Sequence, residues 1–362
     1  MVSAEPLESR LIERFLNTLR GLPEVDAQLE PKGPADAGAD RGIDAQVDLR
    51  VPGKAVTLLI EAKKALYPRD VRQVLWERKD FSRKYFTEHD AVLLLLADSI
   101  SPGAKELLRN ERVGYYDSGG SLFLPAKGIY LYIDKPPPKS LSRSMRSLFS
   151  GRRAQVLHAL LIRQDEWVGV KPLAEQAQVS PATVSQVLTE LERFDWIASR
   201  GQGPNKERHL REPSALLDAW VSQLETTRPP TMRRYYVPSM RAEELVQKLG
   251  RLFAAHDIEY AITHEAAGQL YSPFLSSVSQ VRCRALIGPA FNQAIGELDA
   301  RVVNEGANLA VIEAKSSGEL LFRKEMGGVW LASPVQVYLD LMRSEGRAKE
   351  MAERLRRERI GF

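Results

Sequence analysis

The sequence predicts a multidomain α/β protein, and three observations carry that expectation. At 362 residues the chain exceeds what a single core ordinarily organises, so two or three domains are expected. Helical and strand periodicities alternate through residues 1–134, the pattern of a mixed sheet with helices on its faces. Two proline-rich breaks, Lys135-Pro136-Pro137-Pro138-Lys139 and Arg228-Pro229-Pro230, can enter neither a helix nor a central strand. The expected domains are therefore 1–134, 151–226 and 231–362, with a basic, proline-rich linker over 135–150.

In the first segment, Leu11, Ile12, Phe15, Leu16 and Leu19 recur at helical spacing, which predicts a helix over 7–22. A loop rich in Gly, Pro and Asp follows at 31–42. Strands are expected at 43–51 and 55–62, joined by a turn at Pro52-Gly53. A charged helix is read over 70–85, a buried strand over 91–97 and a helix over 102–109. Short strands at 113–117, 121–124 and 129–133 surround the Gly119-Gly120 turn.

Composition narrows the classes. No run of 18 apolar residues exists, so no spanning helix is expected. The charged first residues do not resemble an export signal, and a cytoplasmic location is expected. The lone Cys283 excludes an internal disulfide and a thiolate zinc cluster. The net charge of +4 is modest, but Lys135, Lys139, Arg143, Arg146, Arg152 and Arg153 crowd one acid-free stretch. Such a stretch can neutralise phosphates and release counterions.

The middle segment reads as a DNA-binding module. A helix over 153–163 carries Val156, Leu157, Leu160 and Leu161, and a short second helix spans 171–178. Ser180-Pro181 fits an N-cap followed by proline at the first helical position. The helix over 181–194 buries Val184, Val187, Leu188 and Leu191. Its other face offers Ala182, Thr183, Ser185, Gln186 and Thr189, side chains that suit a major groove. A basic, glycine-rich hairpin with Arg200, Lys206 and Arg208 follows, as a wing requires. The pattern resembles the winged helix-turn-helix regulators of bacteria. That resemblance implies contacts to double-stranded DNA from this face with Ser180, from the wing, and from Arg152 and Arg153.

The first segment carries a second constellation. Alternation places Asp44, Gln46 and Asp48 on one strand face, and Glu61 and Lys63 share a face of the next strand. We expect Asp48 beside Glu61, two carboxylates able to hold Mg²⁺, with Lys63 orienting or deprotonating a water. Asp48 with Glu61-Ala62-Lys63 resembles the PD-(D/E)XK, restriction-endonuclease-like superfamily. Within it, Glu13 corresponds to the extra acid many members carry and Gln73 to an accessory polar residue. An active site, an inactive nuclease-like scaffold and an unrelated fold remain open, because Glu313-Ala314-Lys315 repeats the short motif after Asp299.

The third segment is expected to fold as an α+β domain with a nucleotidyltransferase-like element order. It lacks the Gly-Ser and Asp-x-Asp groups that hold nucleotide and metal there, so no transferase activity is expected. Thr263-His264-Glu265-Ala266-Ala267 and residues 332–341 resemble the regulator of the AbiEi-type, type IV toxin–antitoxin family. The resemblance implies an autorepressor of its own promoter, with a toxin as possible partner. The nuclease-like segment in front departs from short members of that family. His264 itself is read as a satisfied packing residue.

The sequence thus predicts a sequence-specific transcriptional regulator, dimeric because one recognition helix reads only a half-site. Such a regulator needs no cofactor to bind DNA. A Mg²⁺-dependent endonuclease aimed by the winged helix, and a toxin-neutralising antitoxin, are the alternatives.

Overall fold

The computed structural model describes residues 6–30, 43–77 and 91–362. The expected loop at 31–42 and the end of the helix expected over 70–85 lie outside the described residues. The chain divides into two compact units, 1–145 with 190–195, and 146–189 with 196–362.

The first unit opens with α1 (Leu7–Arg20) and contains β1 (Asp26–Glu30), β2 (Ala45–Val51), β3 (Lys54–Leu66), β4 (Ala91–Ile100), β5 (Gly114–Asp117), β6 (Leu122–Ala126) and β7 (Ile129–Ile133). These form one sheet in chain order. Pairs β1/β2, β2/β3, β5/β6 and β6/β7 are antiparallel, whereas β3/β4 and β4/β5 are parallel. The parallel crossovers carry α2 (Pro68–Glu77) and α3 (Pro102–Asn110), as parallel pairing demands. Ser101 caps α3, its Oγ accepting from the Ala104 N–H, and Pro102 occupies the first helical position.

Strand alternation builds two apolar layers. Ala45, Val47 and Leu49 of β2, with Leu58, Ile60 and Ala62 of β3, meet the buried stripe of α1. On the opposite face, Val71 and Val74 of α2 and Ala104 and Leu108 of α3 cover Leu93, Leu95 and Ala97 of β4. Glu61 and Lys63, alternating with Ala62, thus stand on the face away from α1. Strand β1 carries no strand signal in the sequence, since Asp26-Ala27-Gln28-Leu29-Glu30 has no β-branched residue and buries only Ala27.

The expected linker contains a helix, α4 (Lys139–Leu148). Leu141 and Leu148 are buried seven residues apart while Lys139, Arg143 and Arg146 are exposed, so an amphipathic pattern begins where the prolines end.

After α4 come α5 (Gly151–Ile162), α6 (Val170–Ala177) and α7 (Pro181–Arg193), the last of which carries its residues from 190 onward in the first unit. Then, in the second unit, come the antiparallel pair β8 (Ile197–Arg200) and β9 (Glu207–Leu210) and α8 (Pro213–Glu225). Every apolar residue singled out for these helices is buried. A further sheet follows, from β10 (Met232–Tyr236), β11 (Tyr260–Thr263), β12 (Val281–Ala285), β13 (Arg301–Val302), β14 (Leu309–Glu313), β15 (Lys324–Met326) and β16 (Val329–Leu331). Its order is β13-β10-β14-β12-β11-β16-β15, with β11/β16 and β12/β14 parallel. Helices α9 (Ala242–Ala255), α10 (His264–Tyr271), α11 (Pro289–Glu297), α12 (Pro334–Met342) and α13 (Arg347–Leu355) accompany it. Helix α10 approaches α13 closely, for a Cβ at Gly268 would stand 2.7 Å from Met351 Sδ. Among the described residues no helix is long and apolar enough to cross a membrane.

Candidate functional sites

The strand pair of the first unit fixes which carboxylate meets Glu61. The Pro52-Gly53 turn, with Gly53 at φ +77°, sets Val51 opposite Lys54. Counting outward along the ladder brings Asp48 opposite Thr57, and Ala45 opposite Ile60. Asp48 accepts a hydrogen bond from Thr57 Oγ1 at 3.2 Å. It stands four residues from Glu61 along β3, about 13 Å at the strand rise. The expectation that Asp48 sits beside Glu61 is therefore corrected, and with it Asp48 as a metal ligand.

Asp44 takes that place. Its backbone N–H donates to the Ile60 carbonyl at 2.8 Å, and its Oδ2 accepts from the Ala62 N–H at 2.7 Å. Its side chain substitutes for the missing ladder where β3 runs on past β2. Glu61 is buried, and Lys63 Nζ lies 2.8 Å from its Oε1. The hydrogen bond to Glu61 raises the Lys63 ammonium above its ordinary value against partial burial, with the charges of Glu61, Asp44 and Glu77 adding to it. Gln73 Nε2 donates to Glu77 Oε1 at 2.9 Å on α2, the carboxylate whose charge adds to the Lys63 shift. Glu13 is exposed on α1, the helix of the other sheet face, and is not brought to Glu61.

Two oxygen-only carboxylates suit Mg²⁺, which takes one or two protein carboxylates and completes its shell with waters and phosphates. Asp44 and Glu61 fit that donor set. Among the described residues no cluster of three or more His, Cys, Asp or Glu could hold a metal. The second Glu-x-Lys is not such a site. Glu313 pairs with Arg233 at 3.4 Å, and Asp299 pairs with Arg301 at 3.7 Å.

Along α7, Ala182, Gln186 and Thr189 are exposed and Thr183 and Ser185 half-buried. The preceding turn passes through Gln178 in the left-handed region, φ 50°. Ser180 Oγ accepts from the Thr183 N–H at 3.2 Å and lies 2.9 Å from Thr183 Oγ1. Ser180 and Thr183 thus cap the helix, leaving Ser185, Gln186 and Thr189 as its polar face. Arg152 and Lys171 line a shallow cavity of about 480 Å³ with Ser180 and Pro181. Arg153 donates to Ser147 Oγ at 3.2 Å.

The hairpin departs from expectation. Arg208 is 8% exposed, exchanges both backbone hydrogen bonds with Val168 and donates from Nη1 to the Lys206 carbonyl. It builds the small sheet and does not offer its guanidinium to a phosphate. Arg200 pairs with Glu207 at 2.7 Å and lies over the Trp167 ring at 4.4 Å. Lys206 remains at the hairpin turn, half-buried.

Two buried histidines stand out in the second unit. His158 shares a 2.5 Å hydrogen bond with Ser333 Oγ and stacks on Phe322, ring centroids 4.5 Å apart. Burial pushes its imidazole down to about 3 from 6.5. Between those values the unfolded chain binds a proton that the folded chain refuses. Stability should therefore fall as the pH drops below about 6.5, by up to ~1.4 kcal/mol per unit from this group. Chemical unfolding at pH 7 and pH 5 checks this, and His158→Gln should shrink the difference. An equal difference in wild type and variant would refute it.

His264 corrects a sequence expectation. It is buried, holds φ at +54°, and its Nδ1 has no hydrogen-bond partner. Burial lowers its pKa despite the nearby Asp340 carboxylate. It is not a satisfied packing residue.

No family model, curated protein or solved structure matches the chain.

Proposed function

We propose that this chain is a sequence-specific DNA-binding regulator whose residues 151–210 act as a winged helix-turn-helix. The supporting observation is α7 itself, fully buried at Val184, Val187, Leu188 and Leu191 and open along Ala182, Gln186 and Thr189. Such a face can enter a major groove and hydrogen-bond base edges. Its natural target is an operator at its own promoter, read by a dimer across two half-sites.

Arg152 and Lys171, beside the start of α7, take over the phosphate contacts first assigned to Arg208. Gln186→Ala should cost roughly 1–3 kcal/mol at the preferred site and relax specificity there. Arg152→Ala should weaken all duplexes alike and reduce the salt slope by about one. Fluorescence anisotropy with promoter and random duplexes across a salt series measures both. The reading fails if wild-type protein shows no salt-dependent preference for the DNA upstream of its own gene.

A second reading, metal-dependent DNA cleavage, is favoured by the grouping of Asp44, Glu61 and Lys63. Asp44 and Glu61 would hold Mg²⁺, which when bound supplies charge stabilisation at a scissile phosphate. Lys63 would orient an attacking water, and the buried Glu61 would fix the Lys63 ammonium in place.

A further inference from the structure

We infer that the second unit contains a binding site for a phosphate-bearing small molecule of nucleotide size. The site is a cavity of about 920 Å³ walled by α5 and α8 on one side and by the β10–β16 sheet with α12 on the other. Its volume lies within the range of small-molecule sites, roughly 300–1,000 Å³.

The cavity's charge is unbalanced. Seven Arg and Lys line it against three Glu and Asp. Each acid already has a cation: Glu313 meets Arg233, while Asp340 and Glu319 meet Arg284. Lys315 and Arg228 line the wall with exposed side chains. Arg343 uses Nη2 on the Leu224 carbonyl and Thr227 Oγ1, while its buried Nε has no hydrogen-bond partner. Those two bonds fix the Arg343 guanidinium in place, so its charge is held on the cavity wall, where an anion would be stabilised. Phe322, stacked on His158, and Trp220 add a flat apolar side to the same cavity. Cations opposite aromatic surface are what a nucleoside phosphate requires.

The walls are tied together, so the cavity has a defined shape. His158 of α5 is bonded to Ser333 at the start of α12, and Arg356, beyond α13, bridges Asp218 of α8 at 2.6 Å and Tyr338 of α12 at 3.3 Å. Because α5 and α8 flank the proposed recognition helix in the chain, occupancy is placed to influence DNA binding. The site itself does not depend on that reading.

Isothermal titration calorimetry of the full chain without DNA tests the site, using ATP, tripolyphosphate and adenosine as probes. Saturable ATP binding that weakens at least tenfold in Arg228→Ala/Lys315→Ala is expected, with no heat from adenosine. Tripolyphosphate binding as tightly as ATP would also support the site, with the phosphates supplying the affinity. Both replaced side chains are exposed, and a circular dichroism melt checks that the variant folds. Absence of saturable binding by ATP and tripolyphosphate, or equal affinity in the variant, overturns the inference. Loss of duplex affinity in the variant without any ATP binding would assign the cations to DNA instead, and also overturns it.

Discussion

Asp340→Ala is expected to destabilise the second unit by about 3–5 kcal/mol, the usual result of stranding one member of a buried ion pair. Asp340 Oδ1 receives Arg284 Nη2 at 2.6 Å and Gln336 Nε2 at 3.0 Å. Its Oδ2 receives Arg284 Nε at 3.1 Å and Thr263 Oγ1 at 2.5 Å. One carboxylate therefore ties β11, β12 and α12 together. Burial alone would raise its pKa, but the Arg284 charge and the hydrogen bonds outweigh it and hold the carboxyl down at about 2. Its stabilising contribution is thus present above the ordinary carboxylate value and lost only as the pH falls towards 2. The acid sensitivity expected near pH 5 belongs to the histidines, and because the Asp340 charge opposes the lowering of the His264 pKa, the loss in Asp340→Ala should be at least as large at pH 5 as at pH 7. Guanidinium unfolding at both values measures this. A loss below about 1 kcal/mol would show that Arg284 finds another partner, Glu319 at 3.8 Å being the nearest at hand. Asp340→Leu with Arg284→Met should recover much of the loss, since a matched apolar pair removes the stranded charge.

Periodic apolar residues made most of the fold legible. The stripes of α1, α5, α6 and α7 and the alternation in β2 and β3 are buried as their spacing implies, because burial of one face is what periodicity encodes. Elements stabilised by something else were missed. Strand β10 reads as polar because three of its five residues are exposed. The β15–β16 hairpin turns on Gly327-Gly328, both at positive φ, a two-residue hairpin signal hidden between very short strands. Polar site residues were harder still. Charge beside a glycine-rich turn suggested Arg208 as a phosphate contact, but the sequence could not say that its backbone would pair with Val168 and bury it. His264 illustrates the reverse case, a left-handed residue that no spacing rule anticipates.

The Asp44 correction was within reach of the sequence, and it yields the sharpest contrast between neighbouring residues. A two-residue turn at Pro52-Gly53 makes Val51 and Lys54 partners, and seven further pairs outward place Asp44 opposite Glu61. A count made from Pro52-Gly53 would have excluded Asp48, because register follows from the turn. If the first unit cleaves DNA, Asp44→Ala should abolish Mn²⁺-dependent nicking of plasmid while Asp48→Ala leaves it intact. The expected loss is on the order of 100-fold or more, since even groups that merely orient metal ligands cost roughly 10–100-fold when removed. Lys63→Ala should lose cleavage but retain Mn²⁺ binding by calorimetry, because its ammonium is no metal ligand. Asp44→Ala should lose both. Loss of cleavage in Asp48→Ala with retention in Asp44→Ala would refute the placement. Wild-type protein that neither binds Mn²⁺ nor nicks DNA would leave the Asp44–Glu61–Lys63 group a structural one: Asp44 then closes the β2–β3 ladder on Ala62, and Lys63 neutralises the buried Glu61. In that case the promoter-selective DNA binding proposed for α7 would stand alone.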